Sequence, residues 1–321
     1  AALLSYLAVR YVPVITRIFH EQPLFFPLRL TPKETGESVE LTSEDGIPLG
    51  GSYFPARTSS RAGVVVFCHE FLSNRWSFQA YVDSLRSLGF DIFAFDFRNH
   101  GESGKGPDYN PTQWLTDYEV RDVRAALAYL RTRPDHDPSG FALFGVSRGG
   151  NAALVVAAEQ PDVWGVVTDG AFPTRGTMYA YIMKWAEIYL RYPLVRKLIP
   201  NFCYHYVAWM ARLSSQRSLK CRFPSVERAV AKLAPRPWFA IHGEKDTYIK
   251  PEIAKELFNY ARQPKNLWIV AGAKHNRCRE KEPEAYSARL LDFMDRFAPR
   301  RLVIDQTEES APEESTTARE V

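Results

Sequence analysis

Cysteine is scarce: four residues in 321, Cys68, Cys203, Cys221 and Cys278, scattered with no C-x-x-C pair. That excludes a zinc ribbon or a disulfide framework and leaves free thiols, which suit a reducing compartment. Charge of one sign is also lacking. A net charge of +4 with no dense basic run gives no footprint for nucleic acid. No long uninterrupted apolar run is present either. The most apolar stretch, AALLSYLAVRYVPVITRIF at residues 1–19, is broken by Arg10, Pro13 and Arg17, too short and too charged to commit to a spanning helix. Three readings stay open for it: the end of a membrane anchor, a helix packed on the protein itself, and an amphipathic helix at a membrane surface. As an anchor, with Arg10, Arg17, Arg29 and Lys33 following, it would place the rest of the chain in the cytoplasm. A cleaved signal peptide fits less well, because a basic start and a small-residue cleavage site are not visible.

What is present is core material: 45% hydrophobic and 13% aromatic residues, enough for one large α/β domain. The organising stretch is FALFGVSRGGNAAL, residues 141–154. A short apolar strand runs into Gly145-Val146-Ser147-Arg148-Gly149 and then into a small-residue helix. This is the pattern of a nucleophile elbow, in which glycines two before and two after a serine let strand and helix approach while the hydroxyl projects above the sheet.

Around it, strands and helices alternate. Residues 39–42 and 47–54 read as a hairpin across Glu44-Asp45-Gly46, residues 63–69 as a buried strand, and the stretch from Arg75 to Leu88 as a helix capped by Ser73 or Asn74. Strands at 91–96, 141–144 and 163–168 with helices between them call for a mostly parallel sheet covered on both faces. The alternation stops between residues 171 and 235, an aromatic and basic insertion broken at Pro193, Pro200 and Pro224, and so a candidate helical lid over the strand ends. It resumes with strands at 237–242 and 267–270 and a last helix from about 284 to 297. The expected organisation is therefore an apolar segment at 1–36, a core at 37–170, the lid at 171–235, the rest of the core at 236–300, and a disordered acidic tail at 301–321.

A serine hydroxyl needs a base, and that base needs a group to orient it. His275 follows the strand at 267–270 and Asp246 follows the strand ending at His242, giving the order Ser147, Asp246, His275. With His69-Glu70, the run DFRNHGES at 96–103, and the motifs GVSRG, HGEKD and GAKH in this order, the chain from about 39 to 297 resembles an α/β-hydrolase-fold serine hydrolase of the esterase, lipase and serine aminopeptidase-like group. The resemblance implies Ser147 as nucleophile, His275 as general base and then acid, and Asp246 as its orienting carboxylate. It further implies an oxyanion hole from the backbone N–H groups of Phe71 and Arg148, and neither metal nor organic cofactor. The substrate is expected to be a small lipophilic acyl ester, with thioester or amide cleavage, acyl transfer and a non-catalytic binding role as alternatives.

One departure stands out. Glu70 occupies a place where the family commonly has glycine, and it is expected to point away from the oxyanion, paired with Arg75 or Arg98. Asp169 is the alternative acid. His69, His100 and His242 read as structural, and the Arg148 side chain either meets an anionic substrate group or lies on a helix surface. Oligomeric state is not legible in the sequence.

Overall fold

The computed structural model describes residues 2–21, 26–107, 109–190 and 192–299. The acidic tail at 301–321 lies outside the described residues. In chain order the elements are α1 (Ala2–His20), β1 (Glu37–Thr42), β2 (Pro48–Phe54), β3 (Gly63–Cys68), α2 (Phe78–Tyr81), β4 (Phe90–Phe95), α3 (Asp117–Thr132), β5 (Phe141–Val146), α4 (Arg148–Ala157) and β6 (Val163–Asp169). Then follow α5 (Thr174–Tyr189), α6 (Pro193–Leu198), α7 (Asn201–Ser218), α8 (Val226–Ala231), β7 (Trp238–Gly243), α9 (Pro251–Tyr260), β8 (Lys265–Val270), α10 (Cys278–Lys281) and α11 (Pro283–Phe297).

The strands form one sheet in the order β1-β2-β4-β3-β5-β6-β7-β8. The hairpin β1–β2 and the pair β2–β4 are antiparallel, and every pairing from β4 to β8 is parallel. Successive side chains on a strand point to opposite faces, so a strand covered on both sides must be apolar throughout. β3 shows this directly. Val64, Val66 and Cys68 join the core beneath α3, α4 and α8, whereas Val65 and Phe67 join the opposite core beneath α2 and α11.

The expected helix from Arg75 to Leu88 is not continuous. It resolves into a 3₁₀ turn at Arg75–Ser77, the single turn α2, and a second 3₁₀ segment at Asp83–Leu88. Phe78, Tyr81, Val82 and Leu85 are buried as the periodicity asks, but Leu88 is exposed. The Asn74 side chain does not cap; it donates instead to the Leu30 carbonyl at 3.0 Å. By contrast α3 has the full capping box, Thr116 with Glu119, that a long helix start favours.

Between β6 and β7 the chain leaves the sheet and builds α5 to α7, then returns through α8, whose Val226 and Val230 belong to the main core. A third apolar cluster joins α1 to α5 and α7, with Leu7, Val12, Ile15 and Phe19 packed near Met178, Ile182 and Val207. Of the three readings of the N-terminal segment, this arrangement is a helix packed on the protein. α1 is nonetheless long and apolar enough to cross a membrane by length and composition, with a third of its most apolar window buried.

Candidate active site

β5 ends at Val146 and α4 begins at Arg148, so one residue makes the whole turn. Ser147 has φ 50° and ψ −117°, a conformation that costs a non-glycine residue about 1–3 kcal/mol and persists only where its surroundings fix it. They do so here. The Ser147 N–H donates to the Asp169 carbonyl at 2.7 Å, tying the turn to the end of β6, and the Ser147 carbonyl accepts from the Asn151 N–H at 3.1 Å. Two glycines are required by space. A Cβ on Gly149 would lie 2.3 Å from the Cys68 carbonyl oxygen, and one on Gly145 would lie 2.5 Å from the Gly150 Cα.

The loops after β7 and β8 bring the other two groups to the serine. His275 Nε2 is 3.0 Å from Ser147 Oγ, and His275 Nδ1 is 2.5 Å from Asp246 Oδ2. The remaining oxygen, Asp246 Oδ1, accepts the backbone N–H groups of Tyr248 and Ile249, each at 2.9 Å. With the Nδ1 proton held by the carboxylate, the Nε2 lone pair faces the hydroxyl. Burial alone would lower the His275 pKa; the charge and hydrogen bond of Asp246, with smaller contributions from Glu70 and Asp169, overcome it and hold it above the usual 6.5. Burial works against Asp246 too, raising its pKa, but His275 outweighs it and keeps the carboxyl below its ordinary range.

Ser147 and His275 border a small cavity of about 50 Å³. Its walls are mostly apolar: Phe71, Trp114, Phe172, Tyr181 and Ile249. Gln113 and Thr177 also line it, and the Gln113 amide nitrogen and Thr177 hydroxyl are buried there with no hydrogen-bond partner among the described residues. Phe71 was named from the sequence, and Tyr181 belongs to the aromatic insertion read there as a candidate lid; the other wall residues were not singled out, because tertiary packing of α5 and the loops around it brings them in.

A family model described as the alpha/beta hydrolase fold matches residues 63–202, a span that contains Ser147 and ends before Asp246 and His275. A Mycobacterium tuberculosis protein of uncharacterized function is 28% identical over 272 residues, covering 84% of this chain and 82% of its own. The Escherichia coli protein YfhR, also uncharacterized, is 26% identical over 267 residues, or 81% of each chain. Among solved structures, the Pyrococcus furiosus esterase Pf2001 superposes with a TM-score of 0.64 at 24% identity, covering 87% of this chain and 100% of that one. The chain has the α/β-hydrolase fold.

Within this fold the other matching motifs serve as scaffold. His69 Nδ1 donates to the Glu70 carbonyl at 2.7 Å and its Nε2 accepts from the Phe97 N–H at 3.1 Å, which joins the loops after β3 and β4. Asp96 accepts from the Arg75 N–H at 2.6 Å and from the Glu102 N–H at 3.1 Å. Gly101 (φ 50°) passes so close to Asp96 that a Cβ there would be 2.2 Å from the carboxyl carbon. His242 donates from Nε2 to the Ile249 carbonyl at 2.8 Å and lies 3.3 Å from Asp246 Oδ2, so it braces the acid's loop.

Three expectations need correction. The Arg148 side chain is neither on a helix surface nor open to a substrate; it is buried, donating to the Thr112 carbonyl at 2.8 Å and to His100 Nε2 at 3.2 Å, with Glu119 at 3.3 Å. Glu70 pairs with neither arginine. Arg75 is taken by Asp96, Ser52 and Glu102, and Arg98 by Asp122, Asp45 and Ser43. Glu70 instead accepts from the Leu28 N–H at 2.8 Å and from the amide of Asn276, the residue after His275. The alternative acid, Asp169, makes no hydrogen bond to His275. It accepts from Tyr286 Oη at 3.1 Å, and its complete burial, partly opposed by the Tyr286 and Cys278 hydrogen bonds, pushes its pKa up to about 7.

Glu70 is thus a buried carboxylate behind the histidine. Burial raises its own pKa, and its charge, when present, raises that of His275. A base must be neutral to accept a proton, so activity limited by His275 rises with pH through its pKa. Glu70→Gln removes the charge and keeps the shape, and the acid limb of a kcat/KM profile moves to lower pH. An unmoved limb would show that His275 does not sense Glu70. Among the described residues no group of three or more His, Cys, Asp or Glu side chains is gathered to hold a metal ion.

Proposed function

We propose that this α/β-hydrolase is a serine hydrolase that cleaves a carboxylic ester through an acyl-enzyme intermediate. The observation that carries the reading is the continuous contact from Ser147 Oγ through His275 Nε2 and Nδ1 to Asp246 Oδ2. His275 takes the Ser147 proton as Oγ attacks the ester carbonyl, and the imidazolium is stabilised by Asp246. The tetrahedral oxyanion is held by the backbone N–H of Arg148, at the first position of α4, and by that of Phe71 after β3. Collapse breaks the carbonyl–alkoxy bond, and His275 gives its proton to the leaving alcohol. Water activated by the same imidazole then attacks the acyl-serine, and the acid leaves as Ser147 regains its proton. No metal or organic cofactor enters these steps.

The cavity sets the acyl preference. Its small volume and apolar walls suit a short lipophilic acyl group, while the unpaired Gln113 amide and Thr177 hydroxyl favour one with a polar atom near the scissile carbonyl, because an unsatisfied buried polar group is costly. Tyr181 closes the far side against Trp114, with ring centroids 5.7 Å apart and planes at 85°. On p-nitrophenyl esters of graded chain length, acetate and butyrate are turned over faster than decanoate, and Tyr181→Ala shifts the preference toward the longer chains. A panel with no turnover of any ester by the folded protein would overturn the ester assignment; an unshifted preference would remove Tyr181 from the acyl wall.

A further inference from the structure

Outside the cavity beside Ser147, α1, α5, α6 and α7 leave apolar side chains in solvent. Leu3 and Tyr6 on α1, Tyr189 on α5, Leu194 and Leu198 on α6 and Phe202 on α7 are each more than half exposed. Four of them, Leu3, Tyr6, Tyr189 and Leu198, also line one apolar cavity of about 360 Å³ among these helices. Monomeric soluble proteins rarely expose apolar groups in such a cluster unless the patch meets a partner or a membrane.

Charge identifies the partner. Residues 171–220 carry eight Lys or Arg and a single acidic residue, Glu187, and residues 1–20 carry Arg10 and Arg17 with no acidic residue. These two stretches therefore hold a net charge of about nine positive, while the whole chain holds only +4. The rest of the molecule is net acidic. Lys184, Lys197 and Arg10, on the same helices as the apolar crown, are exposed. Arg196 is partly buried and donates to the Leu190 carbonyl at 3.0 Å, joining α6 to the end of α5. An apolar crown bordered by cations matches a surface with an anionic boundary over an apolar interior, which is the profile of a bilayer containing anionic phospholipid.

We propose that the crown of α1, α5, α6 and α7 docks on anionic phospholipid bilayers, with lipid acyl chains occupying the cavity among those helices. α1 then lies along the membrane surface and does not need to leave the protein. Phe19 is completely buried, its ring 5.3 Å from that of Trp114, and its carbonyl accepts from Trp114 Nε1 at 3.1 Å. Trp114 in turn lines the cavity beside Ser147, so a spanning α1 would strip support from the active-site wall, whereas a docked α1 keeps it.

The test is co-sedimentation of the full chain with phosphatidylcholine vesicles, with and without phosphatidylglycerol. It is run on the native sequence and on Ser147→Ala, so that the outcome does not depend on any hydrolytic reading. Both bind the anionic vesicles more tightly than the neutral ones, and binding weakens as salt is added. Lys184→Glu and Lys197→Glu each weaken anionic binding by at least about fivefold. The pair Leu194→Ser and Leu198→Ser weakens binding to both vesicle types, while thermal unfolding stays cooperative near the native midpoint. No binding of the native chain to anionic vesicles would overturn the proposal. So would equal binding by all the variants, which would place the contact elsewhere. Finding instead a dimer that the two leucine changes dissociate, with no vesicle binding, would make the crown an interface between copies and overturn it equally.

Discussion

Ser147→Ala lowers ester turnover by about a million-fold, and His275→Ala does nearly the same. The two act as one unit, since neither the hydroxyl nor the imidazole has a use in the step without the other. The double substitution therefore costs little more than either single one. Neither change should unfold the protein. The Ser147 backbone, with its positive φ held by hydrogen bonds to Asp169 and Asn151, keeps those bonds with an alanine side chain. Its 3.0 Å contact to His275 is the only side-chain hydrogen bond described for the hydroxyl. Steady-state kinetics on a p-nitrophenyl ester, with thermal melts alongside, separate lost chemistry from lost folding. Residual activity within tenfold of the native protein would remove Ser147 from the nucleophile's role.

Asp246→Asn lowers kcat/KM by about ten-thousand-fold, and the structure says why a nearly isosteric change is so damaging. The Oδ1 position receives two backbone N–H groups, from Tyr248 and Ile249, and only an oxygen can stay there. The amide nitrogen of the introduced asparagine must then face His275 Nδ1 at the place of Oδ2. It donates where a carboxylate accepted, so Nδ1 must become the acceptor and the proton moves to Nε2, facing Ser147 Oγ. The base is lost to the wrong tautomer, with its position unchanged. The same protein should melt within a few degrees of the native one. Asp169→Asn provides the contrast: that carboxylate bonds Tyr286 and not His275, so its substitution leaves most of kcat/KM in place. Equal losses from both would mean that Asp169 shares the role assigned to Asp246.

The parts of this molecule that could be read from its sequence are those in which a local pattern has one physical meaning. Apolar runs of strand length need two covered faces, and β3 through β7 have them. Gly145 and Gly149 flank a serine because no larger residue fits between strand and helix, so the elbow is visible in five letters and their setting. Asp246 and His275 were legible by position, each in the first loop after its strand. The segment from Arg75 to Leu88 was misread because helical periodicity fixes which side chains are buried and does not fix continuity; two 3₁₀ segments bury the same face. Glu70, Arg148 and Arg75 were misjudged for a different reason. Which ion or amide a buried charge meets is decided by contacts between residues far apart in the chain, such as Glu70 with Asn276 and Arg148 with Glu119. No spacing rule encodes those contacts. The same holds for Trp114 and Phe172, whose place beside Ser147 depends on how α1 and α5 pack.

The central claim is that Ser147 is an activated nucleophile, and covalent labelling tests it most directly. Intact mass is measured after exposure of the full chain to a fluorophosphonate, with the labelled peptide then identified. One adduct per chain is expected, located on Ser147, absent from Ser147→Ala, and strongly slowed in His275→Ala. No adduct on the folded native protein, or an adduct that persists in Ser147→Ala, would contradict it.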